Sequence, residues 1–280
     1  MESKIIGKVN FEEHLLDKEL KLIDTFEFND SYSEYASGIW KTCMLWNRSG
    51  QKDDHLSIEH DTYVKPTEYG KQLAYVNEII ANTFKKEHIK TVRLFMCING
   101  LIIPHKDYLE FKKGFTRIHI PLKINEHALT SEEDVVYNMQ KGEIWFIEGR
   151  KIHSAANFSK VKRINLVIDF APDIPFEELF LNSENYQPNL IPKISQRKEL
   201  TDEVIEGILG FSIIISEANY REIVSILAKL HFFYKADCRS MYDWLKEICK
   251  RRGDPALIEK TASLERFFLG HRERGEVMTY

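Results

Sequence analysis

The stretch from about Thr91 to Phe170 constrains the fold of this chain more than any other part of it. Residues 91–98, 115–122, 135–139, 142–147 and 163–170 are short runs rich in β-branched and aromatic side chains, the composition of strands. Turn-like pieces separate them, among them Asn99-Gly100, Asn125-Glu126 and Gln140-Lys141-Gly142. Short strands in succession, with no helix between them, predict a sandwich or open barrel of the jelly-roll kind.

Helical spacing flanks this zone on both sides. Before it, Leu15, Leu20 and Leu22 suggest one helix, an aromatic stretch follows from Tyr32 to Trp46, and a second helix is expected over 70–84, where Leu73, Val76, Ile79 and Ile80 recur at three- and four-residue steps. After a loop carrying Pro188 and Pro192, Thr201 precedes Asp202, Glu203 and Glu206, a helix start. Val204, Ile205, Ile208, Leu209, Ile223, Ile226, Leu227 and Leu230 then keep helical spacing, as do Trp244, Leu245 and Ile248. Gly253-Asp254-Pro255 breaks the pattern before a last helix over 256–269. The tail therefore reads as all-α, and its aromatics Phe232, Phe233, Tyr242 and Trp244 as core.

At 280 residues and 43% hydrophobic, the chain can bury a sizeable core. Its net charge of −4 gives no electrostatic reason to expect a nucleic-acid partner, and Lys250-Arg251-Arg252 reads as a solvated helix end. Cys43, Cys97, Cys238 and Cys249 lack CxxC spacing and fit free thiols in a reducing compartment. Acidic residues arrive at once (Glu12, Glu13, Asp17, Glu19), and apolar runs such as Ile213-Ile214-Ile215 are too short to span a bilayer. A soluble cytoplasmic protein with no membrane partner is expected.

The residues that carry chemistry lie in the strand-rich zone. In Pro104-His105-Lys106-Asp107, His105 and Asp107 are two apart, and in an extended segment such positions point to the same face. His153 follows the strand-turn run that ends at Gly149. Two histidines and a carboxylate on a β scaffold form the facial triad of non-haem iron(II) oxygenases, which leaves coordination positions open for 2-oxoglutarate and O₂. HxD alone is a weak signal; Arg163 strengthens it. On 163–170, Arg163, Asn165, Val167 and Asp169 share one face, opposite Ile164, Leu166, Ile168 and Phe170. An arginine pointing into a barrel demands an anion, and the C5 carboxylate of 2-oxoglutarate suits it. Arg117 and His119 form another same-face pair that suits the metal-bound end of the cosubstrate, with a satisfied core histidine as the alternative for His119. Arg93 has the character to hold a substrate carboxylate or to form a surface salt bridge. His55 and His60 lack a carboxylate at ligand spacing and are discounted.

At these positions the chain resembles a known family. Pro104-His105-Lys106-Asp107, Gly142-Glu143-Ile144-Trp145-Phe146, His153-Ser154-Ala155-Ala156-Asn157-Phe158-Ser159 and Arg163 are similar to the bacterial free-proline hydroxylases, in the aspartyl/asparaginyl β-hydroxylase-like branch of the 2-oxoglutarate oxygenases. The likeness continues through Ser216-Glu217-Ala218-Asn219-Tyr220-Arg221 and the terminal Gly275-Glu276-Val277-Met278-Thr279-Tyr280, and so spans essentially the whole chain. It implies a mainly β fold with α: a double-stranded β-helix (cupin-like) core with N-terminal helices over 1–195, then an all-α domain over 196–280. It implies iron on His105, Asp107 and His153, and 2-oxoglutarate held by Arg163 at one end and by Arg117 and His119 at the other. Many relatives carry Ser or Thr two residues after the cosubstrate arginine; here that position is Asn165, whose amide can still donate to the carboxylate. The implied reaction is hydroxylation of free L-proline at C4 in the cis sense, with succinate and CO₂ as coproducts and ascorbate in support. Attack at C3, L-pipecolate as substrate, and a peptidyl substrate are the alternatives. Arg93 is the candidate for the amino-acid carboxylate, with Trp40 and Trp46 as walls against an apolar ring. Assembly is left open, a homodimer being one option.

Overall fold

The computed structural model describes residues 1–55 and 58–280. Its strands are β1 (Lys4–Lys8), β2 (Ala36–Asn47), β3 (Lys65–Pro66), β4 (Ile89–His105), β5 (Thr116–Lys123), β6 (Ala128–Glu132), β7 (Val135–Tyr137), β8 (Glu143–Ile147), β9 (His153–Asn157) and β10 (Arg163–Phe170). They join in one curled antiparallel sheet organised around β4. One edge of β4 pairs with β10 over Ile89–Cys97 and then with β9 from Gly100 to His105. The sheet thus forks into two walls, β10-β5-β8-β1 and β9-β6-β7, while β2 follows the other edge of β4. The result is the open, jelly-roll-like barrel expected of the strand-rich zone, in the double-stranded β-helix form that the resemblance implies.

The fork lies at Asn99-Gly100, which was expected to be a turn. The tolerance of Asn for a left-handed conformation (φ 42°) here bends a continuous strand instead. Gly38 on β2 faces this bend with φ 82°, and a Cβ there would lie 2.3 Å from the Asn99 carbonyl oxygen, so only glycine fits.

Strand alternation sorts the side chains of β10 by chemistry. Ile164, Leu166, Ile168 and Phe170 join an outer core with Leu16, Leu20 and Ile23 of α1 (Glu13–Ile23). The expected helix over 70–84 divides into α2 (Glu68–Gln72) and α3 (Ala74–Thr83), because Asn77 Nδ2 and the Leu73 N–H both take the Gly70 carbonyl. Val76 and Ile80 of α3 complete this core.

After the short α4 (Phe176–Leu179), the tail forms α5 (Asp202–Leu209), α6 (Tyr220–Leu230), α7 (Ser240–Arg252) and α8 (Pro255–Glu265). Thr201 caps α5 by accepting from the Val204 N–H, Gly253 closes α7 in the left-handed conformation, and Asp254 caps α8. A wide π turn over Arg266–Gly270 finishes the last helix. These helices share one apolar core with Leu101 and Ile103 of β4 and Ala156 of β9. They cover the outside of the second wall as α1 and α3 cover the first. The four cysteines are free and buried, and among the described residues no helix is long and apolar enough to cross a membrane.

His231 sits at the seam between tail and sheet, fully buried, with Nε2 2.8 Å from Ser131 Oγ of β6. Burial, helped by Arg197, pushes its pKa from 6.5 down to about 3. Below pH 6.5 the unfolded chain therefore binds a proton that the folded chain refuses, so this histidine removes stability as pH falls through that window. Urea unfolding at pH 7 and pH 5 should show His231→Gln losing about 2 kcal/mol less than wild type between the two. Equal losses would mean that His231 does not contribute.

Candidate active site

His105 ends β4 and His153 begins β9, and the two are direct cross-strand partners with ring centroids 4.5 Å apart. Each ring is fixed by the backbone two residues before it: His105 Nδ1 lies 2.8 Å from the Ile103 carbonyl oxygen and His153 Nδ1 3.0 Å from that of Lys151. A carbonyl oxygen only accepts, so each Nδ1 carries the proton and each Nε2 presents a lone pair inward. Asp107 lies just beyond the strand and is placed by its N–H, which donates to the Gly149 carbonyl at 2.6 Å. Its Oδ1 is 3.5 Å from His105 Nε2 and its Oδ2 3.7 Å from His153 Nε2. One ligand atom from each residue lies within 4.8 Å of the others, the sole such group among the described residues.

The protonation states suit a cation. Burial raises the Asp107 pKa, but Arg117, His105 and His153 outweigh it and hold the carboxyl well below the usual range. Burial first, and His105 second, push His153 down to about 4. A neutral nitrogen and a carboxylate are what a divalent metal binds, and two nitrogens with one oxygen leave half of an octahedron open. The residues fit an iron(II) ion.

A row of buried charges stands behind the triad. Arg117 Nη1 donates to Asp107 Oδ2 at 2.6 Å, and its Nε donates to Asp169 Oδ1 at 2.8 Å. Arg93 ion-pairs with Asp169 from the other side, and its Nη1 donates to Tyr32 Oη at 2.7 Å. Arg93 is therefore fully buried rather than a surface ion-pair residue. Arg117, expected at the C1 end of the cosubstrate, is engaged with two carboxylates of the protein.

Arg163 has the opposite surroundings. It is 3% exposed and donates to the Leu129 and Ala156 carbonyls, to Thr130 Oγ1 at 3.0 Å and weakly to Met139 Sδ, and no ion pair reaches it among the described residues. Burial alone lowers its pKa from the usual guanidinium value, partly offset by Cys97 and Tyr137. His119 and Asn165 stand beside it, Asn165 Nδ2 lying 3.4 Å from His119 Nδ1 and Asn165 Oδ1 having no hydrogen-bond partner. Burial, then Arg117 and Arg163, hold His119 well below 6.5, so it is neutral.

One pocket is lined by the triad, Arg117, His119 and Arg163, with Tyr32, Trp40 and Phe95 as aromatic walls. Trp46 is not among them. It lies in the outer core, with Nε1 bonded to Asn77 at 2.9 Å. A separate groove of about 620 Å³ runs between β2 and α6 past Arg221 and Lys229 and contains no triad residue. Sequence reasoning missed Tyr32, Thr130 and Met139, which lie outside any motif, and the role of Gly149. A Cβ on Gly149 would lie 2.8 Å from Asp107 Cβ and 3.0 Å from its Oδ2.

With this geometry established, comparison with known proteins is direct. The family model for aspartyl/asparaginyl β-hydroxylase matches residues 12–172, and that for the C-terminal part of L-proline 3-hydroxylase matches 177–276. The chain belongs to the aspartyl/asparaginyl β-hydroxylase family of 2-oxoglutarate-dependent dioxygenases. It is 54% identical, over the full length of both chains, to L-proline cis-4-hydroxylase of Rhizobium meliloti (strain 1021). Identity to L-proline cis-3-hydroxylase 1 of a Streptomyces species is 33%, over 99% of this chain and 98% of the relative. A 2OG-Fe(II) oxygenase family oxidoreductase of Burkholderia pseudomallei aligns over 59% of this chain and 84% of its own, at 9% identity and a TM-score of 0.39.

Since Gly149 both accepts from the Asp107 N–H and packs on its side chain, Gly149→Ala should displace that carboxylate. Metal affinity, read by titrating Co(II) into the metal-free protein, should fall about tenfold or more while circular dichroism stays unchanged. Wild-type affinity would show that Asp107 tolerates the added methyl.

Proposed function

We propose that this protein hydroxylates free L-proline at C4, in the cis sense, using iron(II), 2-oxoglutarate and O₂. The observation that carries the proposal is the pairing of opposites in one pocket: a His-Asp-His metal site, and a buried Arg163 with no carboxylate against it among the described residues. A buried guanidinium is expensive to leave unpaired, and a dicarboxylate reaching from the metal to Arg163 satisfies both ends. Bound iron(II) supplies the chemistry that couples decarboxylation of 2-oxoglutarate to insertion of one oxygen atom of O₂ into a C–H bond, giving succinate and CO₂.

The protein's part is positional. His105 and His153, their tautomers fixed by Ile103 and Lys151, hold two nitrogens toward the ion, and Asp107 holds one oxygen. Thr130 and the Leu129 and Ala156 carbonyls orient Arg163 toward the far carboxylate. His119 and Asn165, neutral polar groups beside it, suit the cosubstrate rather than a second charge. Tyr32, Trp40 and Phe95 form an apolar enclosure for a ring, and Arg93, which does not itself line the pocket, meets it through the Tyr32 hydroxyl. The stronger likeness to the cis-4 relative than to the cis-3 relative supports C4. Ascorbate as supporting reductant, a cytoplasmic location, a division near residue 195, and a homodimer to be checked by light scattering belong to the same proposal.

Incubation with Fe(II), ascorbate, 2-oxoglutarate and L-proline should give cis-4-hydroxyproline by chromatography against the isomers. A product at C3 would refute the regiochemistry alone, and no oxygen gain on any cyclic amino acid would refute the free-substrate reading. Arg163→Met, which keeps bulk and removes the charge, should raise the KM for 2-oxoglutarate about tenfold or more. An unchanged KM would remove Arg163 from the site.

A further inference from the structure

We infer that Asp169 is a positioning residue that aims Arg117 at the metal ligand Asp107 and ties that ligand to the substrate side of the pocket. The inference rests on the reading of His105, Asp107 and His153 as an iron site.

Asp169 is fully buried on the inner face of β10 and accepts from Thr91 Oγ1 at 3.0 Å, from Arg93 Nη2, and from Arg117 Nε and Nη2 at 2.8 and 3.3 Å. Burial works against its ionisation, yet Arg117 and Arg93 bring its pKa down to about 2, so it is charged at any physiological pH. The Arg117 guanidinium is planar, and its Nε–Nη2 edge is forked across both oxygens of Asp169. Once that edge is fixed, the remaining nitrogen has one direction, and it meets Asp107 Oδ2 at 2.6 Å. The oxygen of Asp107 so bonded is the one less available to the ion, which favours a single oxygen as ligand. Register supports the arrangement: Asp169 is opposite Arg117 on β5 and opposite Thr91 on β4. On the other side, Arg93 connects the same carboxylate to Tyr32, whose ring lines the pocket against Phe95. One buried carboxylate thus joins an amino-acid-facing tyrosine to the iron-binding aspartate through two arginines.

A purely structural cluster of Asp169, Arg93 and Arg117 could be replaced as a whole by apolar side chains of similar size. Positioning predicts effects that such a role would not produce. Asp169→Asn keeps shape but loses the charge and one acceptor. Co(II) titrated into the metal-free protein should bind about ten- to a hundredfold more weakly in this variant. The KM for L-proline should rise as well, and thermal unfolding of the metal-free protein should move to lower temperature because Arg93 loses its buried counter-charge. Thr91→Val removes a single bond to Asp169 and leaves both ion pairs; its Co(II) affinity should fall by a smaller factor. Asp169→Asn with wild-type Co(II) affinity would overturn the inference, and so would an unfolded Asp169→Asn together with an unaffected Thr91→Val. Wild-type protein that binds no Co(II) would instead sink the metal-site reading.

Discussion

His105 and His153, remote in sequence, meet because β4 and β9 run antiparallel in a register that sets one directly across from the other. Everything else at the site depends on this pairing. It fixes the distance between the two imidazoles, and the backbone two residues before each also supplies the carbonyl that selects its ring's tautomer. The pairing exists only because β4 bends at Asn99 and exchanges β10 for β9 along one edge. The fork brings the face bearing Arg163 and Asp169 over the face bearing the histidines. A straight β4 would have left them on one flat sheet.

Two kinds of buried arginine then divide the interior. Arg93 and Arg117 are neutralised by Asp169 and Asp107, an internal ladder whose charges cancel. Among the described residues, Arg163 has only neutral acceptors around it. An uncompensated buried charge lowers stability, and proteins keep such defects where a ligand repairs them. The ladder fixes where the Asp107 carboxylate points, and the defect marks where the proposed function puts the cosubstrate's far end. These are separate tasks, and the sequence assigns them to alternate residues of β10, which reaches both.

Much of this was legible in the sequence, and the parts that were not have physical reasons. β10 was clear because the alternation of polar and apolar residues, interrupted at Val167, survives burial on both faces. His105-x-Asp107 was clear because two-residue spacing in extended chain shares a face. β9 was not, since His153-Ser154-Ala155-Ala156-Asn157 is small and polar and owes its strand state to its neighbours β4 and β6. Trp40 and Trp46 illustrate the limit well. Six residues apart, they should share a face, and both were expected to wall the pocket. Between them Met44 pairs with Arg93 and Trp46 with Val92, so two residues of β2 oppose one step of β4. That bulge turns Trp46 outward. Register shifts of this kind leave no mark in composition. The engagement of Arg117 with Asp107 was equally hidden, because a same-face arginine is compatible with either a ligand or a neighbouring carboxylate.

The helical tail also contributes to the chemistry, although no triad or pocket-lining residue comes from it. The segment carrying Asp107 leaves the sheet at His105, where strand hydrogen bonds stop. The tail replaces them: the Lys106 N–H donates to the Phe268 carbonyl at 2.9 Å, and Tyr242 Oη donates to the Pro104 carbonyl. Arg272 bonds Glu110 at 2.7 Å just downstream and covers the ring of Tyr35, which itself packs edge-on against His105. A metal ligand on an unsupported loop would be free by more than an open coordination sphere tolerates. The wide π turn at Arg266–Gly270 carries the Phe268 carbonyl that accepts from Lys106, in keeping with the frequency of π turns near functional sites. The helical tail is thus the wall against which the sheet holds its metal ligands.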